Sequence, residues 1–129
     1  GLRFSAQELP CYLNSRASFS DPLSLKIQDP KIMLDNLIHE LIHVLLTQNY
    51  SKIKDTWIKF HETWNKFNFT TLVHMPVHAI HKEVVLKIMP DRLKEVVSYA
   101  KSPNYIKAWS LVEELSSTYI IKDSIGKIA

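Results

Sequence analysis

Residues 30–47 read PKIMLDNLIHELIHVLLT, and this stretch decides how the rest of the chain is interpreted. Asp29 precedes it as a helix N-cap, and Pro30 suits the first helical position because its fixed backbone angle matches the helix. Apolar side chains fall on nearly all sides of the stretch, which is typical of a helix buried in a protein core. We therefore predict a buried helix over residues 30–47 that ends near Asn49.

The same stretch carries two histidines and a glutamate in the pattern His39-Glu40-x-x-His43. Residues four apart lie on one face of an α-helix, so both imidazoles can give a nitrogen to a single metal ion. Burying these groups with no partner would cost several kcal/mol, and a metal would remove most of that cost. The pattern predicts a Zn²⁺ site at His39 and His43, with Glu40 as a general base. The alternative is a pair of core histidines satisfied by hydrogen bonds.

The composition excludes several other classes of protein. Gly1 and Gly126 are the only glycines in 129 residues, so a glycine-rich phosphate loop is impossible. Cys11 is the sole cysteine, which excludes an intrachain disulfide and a cysteine-rich zinc finger and is compatible with a reducing cytoplasm. The net charge of +3 is modest, its lysines are dispersed, and no apolar run reaches the length of a membrane span. We expect a cytoplasmic protein with no membrane and no nucleic-acid partner.

Short strands are predicted before this helix and further helices after it. Leu23, Leu25 and Ile27 alternate with polar residues in a half-buried β pattern, and residues 9–13 suit an edge strand or a loop. After residue 47 the sequence predicts a second helix over 52–67, a loop or short strand over 68–75, and helices beginning near residues 76, 91 and 103. The fold class is therefore α+β, a small N-terminal sheet followed by a helical bundle, in one domain over residues 1–129.

The predicted second helix carries a stripe of large aromatic side chains. Trp57, Phe60, Trp64 and Phe67 recur at spacings of three and four, which favours a core position packed against the helix over residues 30–47. His61 lies off this stripe, and we expect it to face solvent.

A small sheet followed by a buried helix with this histidine–glutamate pattern resembles the zincin metallopeptidases. The resemblance implies that His39 and His43 bind Zn²⁺, that Glu40 polarises the zinc-bound water, and that the reaction is hydrolysis of a peptide or protein substrate. It also implies that an edge strand near the metal helix pairs with extended substrate, and residues 23–27 are the candidate.

The third metal ligand separates the branches of this family. The metzincin pattern requires a glycine and a histidine where this chain has Leu46 and Asn49, so the chain more closely resembles a gluzincin. In gluzincins a glutamate on a downstream helix completes the site, and residues 108–114, AWSLVEE, resemble that helix. The resemblance implies Glu113 as the third ligand. The aspartate that many gluzincins place four residues later is missing here, which leaves the partner of a ligand histidine unassigned.

Glu114 and three histidines, His74, His78 and His81, are alternative third ligands. A helix that begins near residue 76 would bring His78 and His81 to one face. A histidine that does not bind metal could donate a hydrogen bond to the oxyanion of the reaction, and we assign that catalytic role to His78. The alternative is that these are surface or capping histidines.

Other groups and other functions fit the same pattern. The oxyanion could also be held by a tyrosine, with Tyr99, Tyr105 and Tyr119 as candidates. A zincin-fold module could keep its metal for a regulatory or sensing role without hydrolysing peptides. A helical interaction domain without metal is a further alternative, and metal content separates it from the others.

Overall fold

A computed structural model of the chain describes residues 1–126. The chain divides into two compact units, Gly1–Ser51 and Lys52–Ala129. The first unit holds a three-stranded sheet and one long helix, and the second is built from helices. The predicted α+β class, a small N-terminal sheet followed by helices, is confirmed. One domain over residues 1–129 stays a prediction.

The sheet of the first unit is small and mixed. Its strands are β1 (Tyr12–Asn14), β2 (Phe19–Ser20) and β3 (Leu23–Lys26), in the spatial order β1-β3-β2. Strand β1 runs parallel to β3, with Leu13 opposite Leu25, and β2 runs antiparallel to β3. Residues 9–13 were predicted as an edge strand or a loop, and the edge strand β1 includes the last two of them, Tyr12 and Leu13.

The strand predicted over residues 23–27 exists, but its predicted position at the edge of the sheet is wrong. Strand β3 ends at Lys26 and has a neighbour on each side. Leu23, Ser24 and Leu25 are all buried, as is typical of a strand enclosed within its sheet. Alternating polarity identifies a strand locally, whereas its place in the sheet depends on partners that are distant in sequence.

The long helix of the first unit is α1 (Pro30–Gln48), and its predicted bounds are confirmed. The side chain of Asp29 accepts a hydrogen bond of 2.8 Å from the backbone N–H of Lys31, as expected of an N-cap. Helix α1 packs against β2 and β3. Its predicted burial on nearly all sides is wrong, because Ile42 and Leu46 are buried whereas Leu34 is 40% exposed. Apolar composition alone does not show which faces of a helix find a neighbour.

The helices after α1 are α2 (Tyr50–Thr63), α3 (Phe69–Ile88), α4 (Leu93–Ser98), α5 (Pro103–Leu115) and α6 (Ser117–Ile125), with a 3₁₀ turn at Pro90–Arg92. Tyr50 and Ser51, the first two residues of α2, belong to the first unit. The rest of α2 and the helices after it form the second. Helix α3 lies at the centre of the second unit and packs against both α5 and α6.

Helix α3 begins seven residues before Pro76, so the predicted loop or strand over residues 68–75 is wrong. Asn68 is the N-cap, and its side chain accepts a hydrogen bond of 2.9 Å from the backbone N–H of Thr71. Pro76 has no N–H for the carbonyl of Leu72, which weakens the helix at this point. The helix persists because its central residues are core, and Met75 is fully buried.

Helix α6 was not expected. Ser116 has a φ of 73°, in the left-handed region, and this conformation separates α5 from α6. The Ser116 hydroxyl accepts a hydrogen bond of 3.3 Å from the backbone N–H of Tyr119, so it caps the new helix. The polar run Ser116-Ser117-Thr118 is the sequence signal for this N-terminus.

The aromatic stripe belongs to the core of the second unit, although helix α2 stops at Thr63 rather than near residue 67. Phe60 is 1% exposed and packs in a cluster with residues of α3, α5 and α6. Trp64 and Phe67 are partly buried against the same cluster, and Trp57 is only half-buried. Phe60, Trp64 and Phe67 pack against residues of α3, α5 and α6, and packing of the stripe against residues 30–47 stays a prediction. No helix within residues 1–126 combines the length and apolar character that a bilayer span requires.

Candidate metal centre

His39 and His43 meet on one face of α1, as the spacing of four predicts. Their Nε2 atoms lie 3.2 Å apart, and their ring centroids are 4.9 Å apart with an angle of 62° between the rings. Two nitrogens that are each about 2.05 Å from a tetrahedral zinc lie roughly 3.3 Å apart, so the observed separation suits two ligands of one ion. The same separation allows an N–H···N hydrogen bond between the imidazoles if one Nε2 carries a proton.

Glu40 lies between these histidines in sequence but on a different side of the helix. A shift of one position turns the side chain about 100° around the helix axis. The side chain is half-buried, and burial raises the pKa of Glu40 from 4.5 to about 7. A carboxyl group with such a pKa can both accept and release a proton near neutral pH.

Glu113, the predicted third ligand, lies on α5 with its side chain 59% exposed. Its Oε1 accepts a hydrogen bond of 2.8 Å from Nζ of Lys82, a residue of α3. Glu114 is also exposed. Both residues therefore lie on the solvent side of α5, and the ligand role of Glu113 stays a prediction.

The three histidines of α3 are buried, so their interpretation as surface or capping residues is wrong. His74 is 7% exposed, and His78 and His81 are each 2% exposed. Because α3 begins at Phe69, all three lie inside the helix at spacings of four and three, on the side that faces α5. The sequence analysis predicts a helix start near residue 76, and only a start at Phe69 places all three histidines within one helix.

Aromatic residues of α5 pack directly on these histidines. The ring of His78 stacks on Trp109 with a centroid separation of 4.5 Å and an interplanar angle of 13°. The ring of His74 lies 4.1 Å from that of Tyr105. Tyr105 and Trp109 are four residues apart, as are His74 and His78, so two matched helical faces meet here. The equal spacing of these two pairs in the sequence is the signal from which this contact could have been predicted.

His74 has its ring orientation fixed by the backbone of its own helix. Its Nδ1 lies 2.8 Å from the carbonyl oxygen of Thr70. A carbonyl oxygen can only accept, so Nδ1 carries the proton and Nε2 of the neutral ring carries a lone pair. Burial lowers the pKa of His74, and the Thr70 hydrogen bond opposes that shift in part. The net effect favours the neutral imidazole that metal binding requires.

Two of the three candidate tyrosines have positions that do not favour catalysis. The hydroxyl of Tyr99 donates a short hydrogen bond to Glu95, and Tyr119 is 48% exposed on α6. Tyr105 is the candidate that contacts buried histidines, His74 and His78.

His61 does not face solvent as predicted. It is half-buried among aromatic rings, with centroid separations of 5.2 Å to Trp57, 5.9 Å to Phe60 and 5.8 Å to Phe69. Burial lowers the pKa of His61, since the charged ring would lack the hydration that it has in water. The prediction assumed that one face of α2 is covered, whereas the start of α3 covers part of a second face.

The structure thus brings His39 and His43 together on α1, with Glu40 turned to a different side of the same helix, and joins His74 and His78 to the aromatic face of α5. Comparisons with protein-family models, with curated proteins and with solved structures find no match for this chain. The interpretation of the site therefore depends on its own geometry and chemistry.

Proposed function

We propose that this chain binds Zn²⁺ and hydrolyses peptide bonds, as the resemblance to the zincins implies. The observation that carries the proposal is the His39–His43 pair, whose Nε2 atoms lie 3.2 Å apart on α1. Imidazole nitrogens are among the preferred ligands of zinc, and two on adjacent turns of a helix form half of its tetrahedral shell. When it is held by three protein ligands, zinc acts as a Lewis acid and makes water nucleophilic near neutral pH.

The third ligand stays open in this proposal among the candidates that the sequence gives, Glu113, Glu114 and the three histidines of α3. Histidines that bind metal commonly donate their other ring N–H to a backbone carbonyl or a carboxylate, and His74 donates in this way to Thr70. The Glu113 carboxylate would have to leave both solvent and its ion pair with Lys82. His78, stacked on Trp109, keeps its proposed role as a hydrogen-bond donor to the developing oxyanion.

Glu40 is the general base in this proposal. Its offset around the helix axis keeps the carboxylate beside the histidine pair rather than in line with it, which favours contact with water over ligation. The carboxylate accepts the proton of the attacking water and delivers it to the leaving amine. Partial burial of Glu40 supports this role, because a base in a dry environment holds a proton near neutral pH.

The test is hydrolysis of a quenched-fluorescence peptide mixture by the zinc-loaded protein and its Glu40→Gln variant. Glutamine keeps the size of the side chain but cannot act as a base, so turnover is expected to fall roughly 10²–10⁴-fold while zinc stays bound. Glu62→Gln is the matched control, since Glu62 is an exposed glutamate on α2.

Loss of turnover in Glu40→Gln, with zinc retained and with full turnover in Glu62→Gln, is the result that the proposal predicts. Zinc binding without hydrolysis by the unaltered protein would contradict the enzymatic role and favour a regulatory or sensing metal module. Equal turnover in Glu40→Gln and the unaltered protein would show that the activity arises elsewhere.

A further inference from the structure

A pocket of about 380 Å³ lies within the first unit, between the sheet and the C-terminal half of α1. Its walls are mostly apolar and include Leu9, Pro22, Leu23 and Val44. Pockets that bind small ligands span roughly 300–1,000 Å³, so this one suits a single side chain or a small molecule rather than a folded partner.

The N-terminal segment that supplies one wall of the pocket is fixed to the end of α1. The side chain of Asn49 donates a hydrogen bond of 2.8 Å to the carbonyl of Arg3 and accepts one of 3.4 Å from its N–H. The backbone N–H of Ser5 donates to Oε1 of Gln48 at 2.9 Å. The segment that leads to Leu9 is thus held to the end of α1 at Arg3 and Ser5 without a ligand, and a preformed wall avoids the entropy cost of ordering it on binding.

Asp21 gives the pocket its polarity. Among the described residues that line the pocket, it alone carries a charge, and it is exposed to solvent. A mostly apolar lining with one exposed aspartate is complementary to a ligand that joins an apolar group to a cation. The N-terminal residue of a peptide has this chemistry, because its side chain and its ammonium group share one carbon atom.

We propose that this pocket binds the N-terminal residue of a peptide, with its apolar side chain inside and its ammonium group on Asp21. The pocket wall on α1 begins at Val44, one helical turn beyond Glu40 on the same face, at a Cα separation of about 6 Å. This assignment rests on the function proposed above. It implies that the substrates are peptides with a free N-terminus and an apolar first residue.

The experiment compares Phe-Ala-amide with its N-acetylated form in chemical-shift titrations of ¹⁵N-labelled, full-length protein. EDTA is present throughout, so that no metal contributes to binding. The two probes share the same apolar side chain, and acetylation replaces the charged amine by a neutral amide. Asp21→Asn is the test variant, and Asp55→Asn is its control, because Asp55 is an exposed aspartate on α2.

The free amine is expected to shift the resonances of Val44 and Thr47 and to bind roughly fivefold more tightly than the acetylated probe, as expected of an exposed ion pair. Asp21→Asn should abolish this preference and Asp55→Asn should keep it. Filling the pocket with Thr47→Trp, a change at an exposed position, should weaken binding of both probes.

Equal binding of the two probes, absence of binding, or a preference that survives Asp21→Asn would overturn the assignment. Because these titrations are metal-free, their outcome does not depend on zinc or on hydrolysis. Conversely, failure of the peptidase assay with successful titrations would remove the enzymatic role and leave the amine site intact.

Discussion

His39 and His43 could be identified from the sequence because their interaction is local. Four positions of regular helix suffice to bring the two rings together, and the structure shows their Nε2 atoms 3.2 Å apart. The sequence does not predict the surroundings of Glu113 in the same way. Its ion-pair partner, Lys82, is on another helix, and only the packing of α3 against α5 brings the two side chains together.

The identity of the third ligand gives the first test at this level. His74→Ala tests the histidine candidate, and loss of a true ligand is expected to weaken zinc binding more than about 100-fold, since it exceeds the 10–100-fold loss typical of a ligand's hydrogen-bonding partners. Glu113→Gln is expected to leave zinc affinity unchanged, because its carboxylate is exposed and paired with Lys82. Competition with a chromophoric chelator measures both. The reverse pattern would restore the gluzincin-like ligand set.

His61 gives a test of stability against pH. Its pKa in the folded protein is below the ordinary 6.5, so the unfolded chain binds a proton that the folded chain does not. The stability that this residue confers is fully present above pH 6.5 and is lost as pH falls toward the folded pKa. His61→Phe removes the titrating group and fits the aromatic surroundings of Trp57 and Phe69.

The free energy of unfolding, measured in urea from about pH 8 to about pH 5, is expected to fall less steeply in His61→Phe than in the unaltered protein. Parallel pH profiles for the two proteins would mean that His61 titrates normally in the folded state, and its aromatic contacts would then not limit its hydration.

Helix starts were predicted most accurately where a cap residue precedes a proline. Asp29-Pro30 and Ser102-Pro103 each opened a helix at the predicted position. Pro76 did not, because Asn68 had already capped α3 and the burial of the helix compensates for the missing hydrogen bond. A proline marks the first turn of a helix only when no stronger start lies within the turns before it.

The cap of α3 is testable by Asn68→Ala. The Asn68 side chain accepts from Thr71 N–H and donates to Oδ1 of Asn104 at 2.7 Å, so it supports both the helix start and its contact with α5. The substitution is expected to lower the free energy of unfolding by about 1–2 kcal/mol. The control is Asn65→Ala, at an exposed position just before the helix. Equal stability of the two variants would show that the cap contributes nothing measurable.

For the chain as a whole, the sequence predicts the class and the order of elements, while the neighbours of each element emerge from packing. The α+β class followed from strand-like alternation before residue 30 and helical spacing after it. That β3 is central, and that Phe60 packs with α3, α5 and α6, depend on contacts between distant residues. Periodicity shows which face of an element is apolar and does not show what covers it.

The central claim, a zinc site built on His39 and His43, is tested most directly by the zinc content of the purified protein after dialysis, measured by mass spectrometry. The unaltered chain and the control His61→Ala are expected to retain about one zinc ion each. The His39→Ala/His43→Ala double variant is expected to retain almost none. Stoichiometric zinc in the double variant, or none in the unaltered chain, would contradict the account.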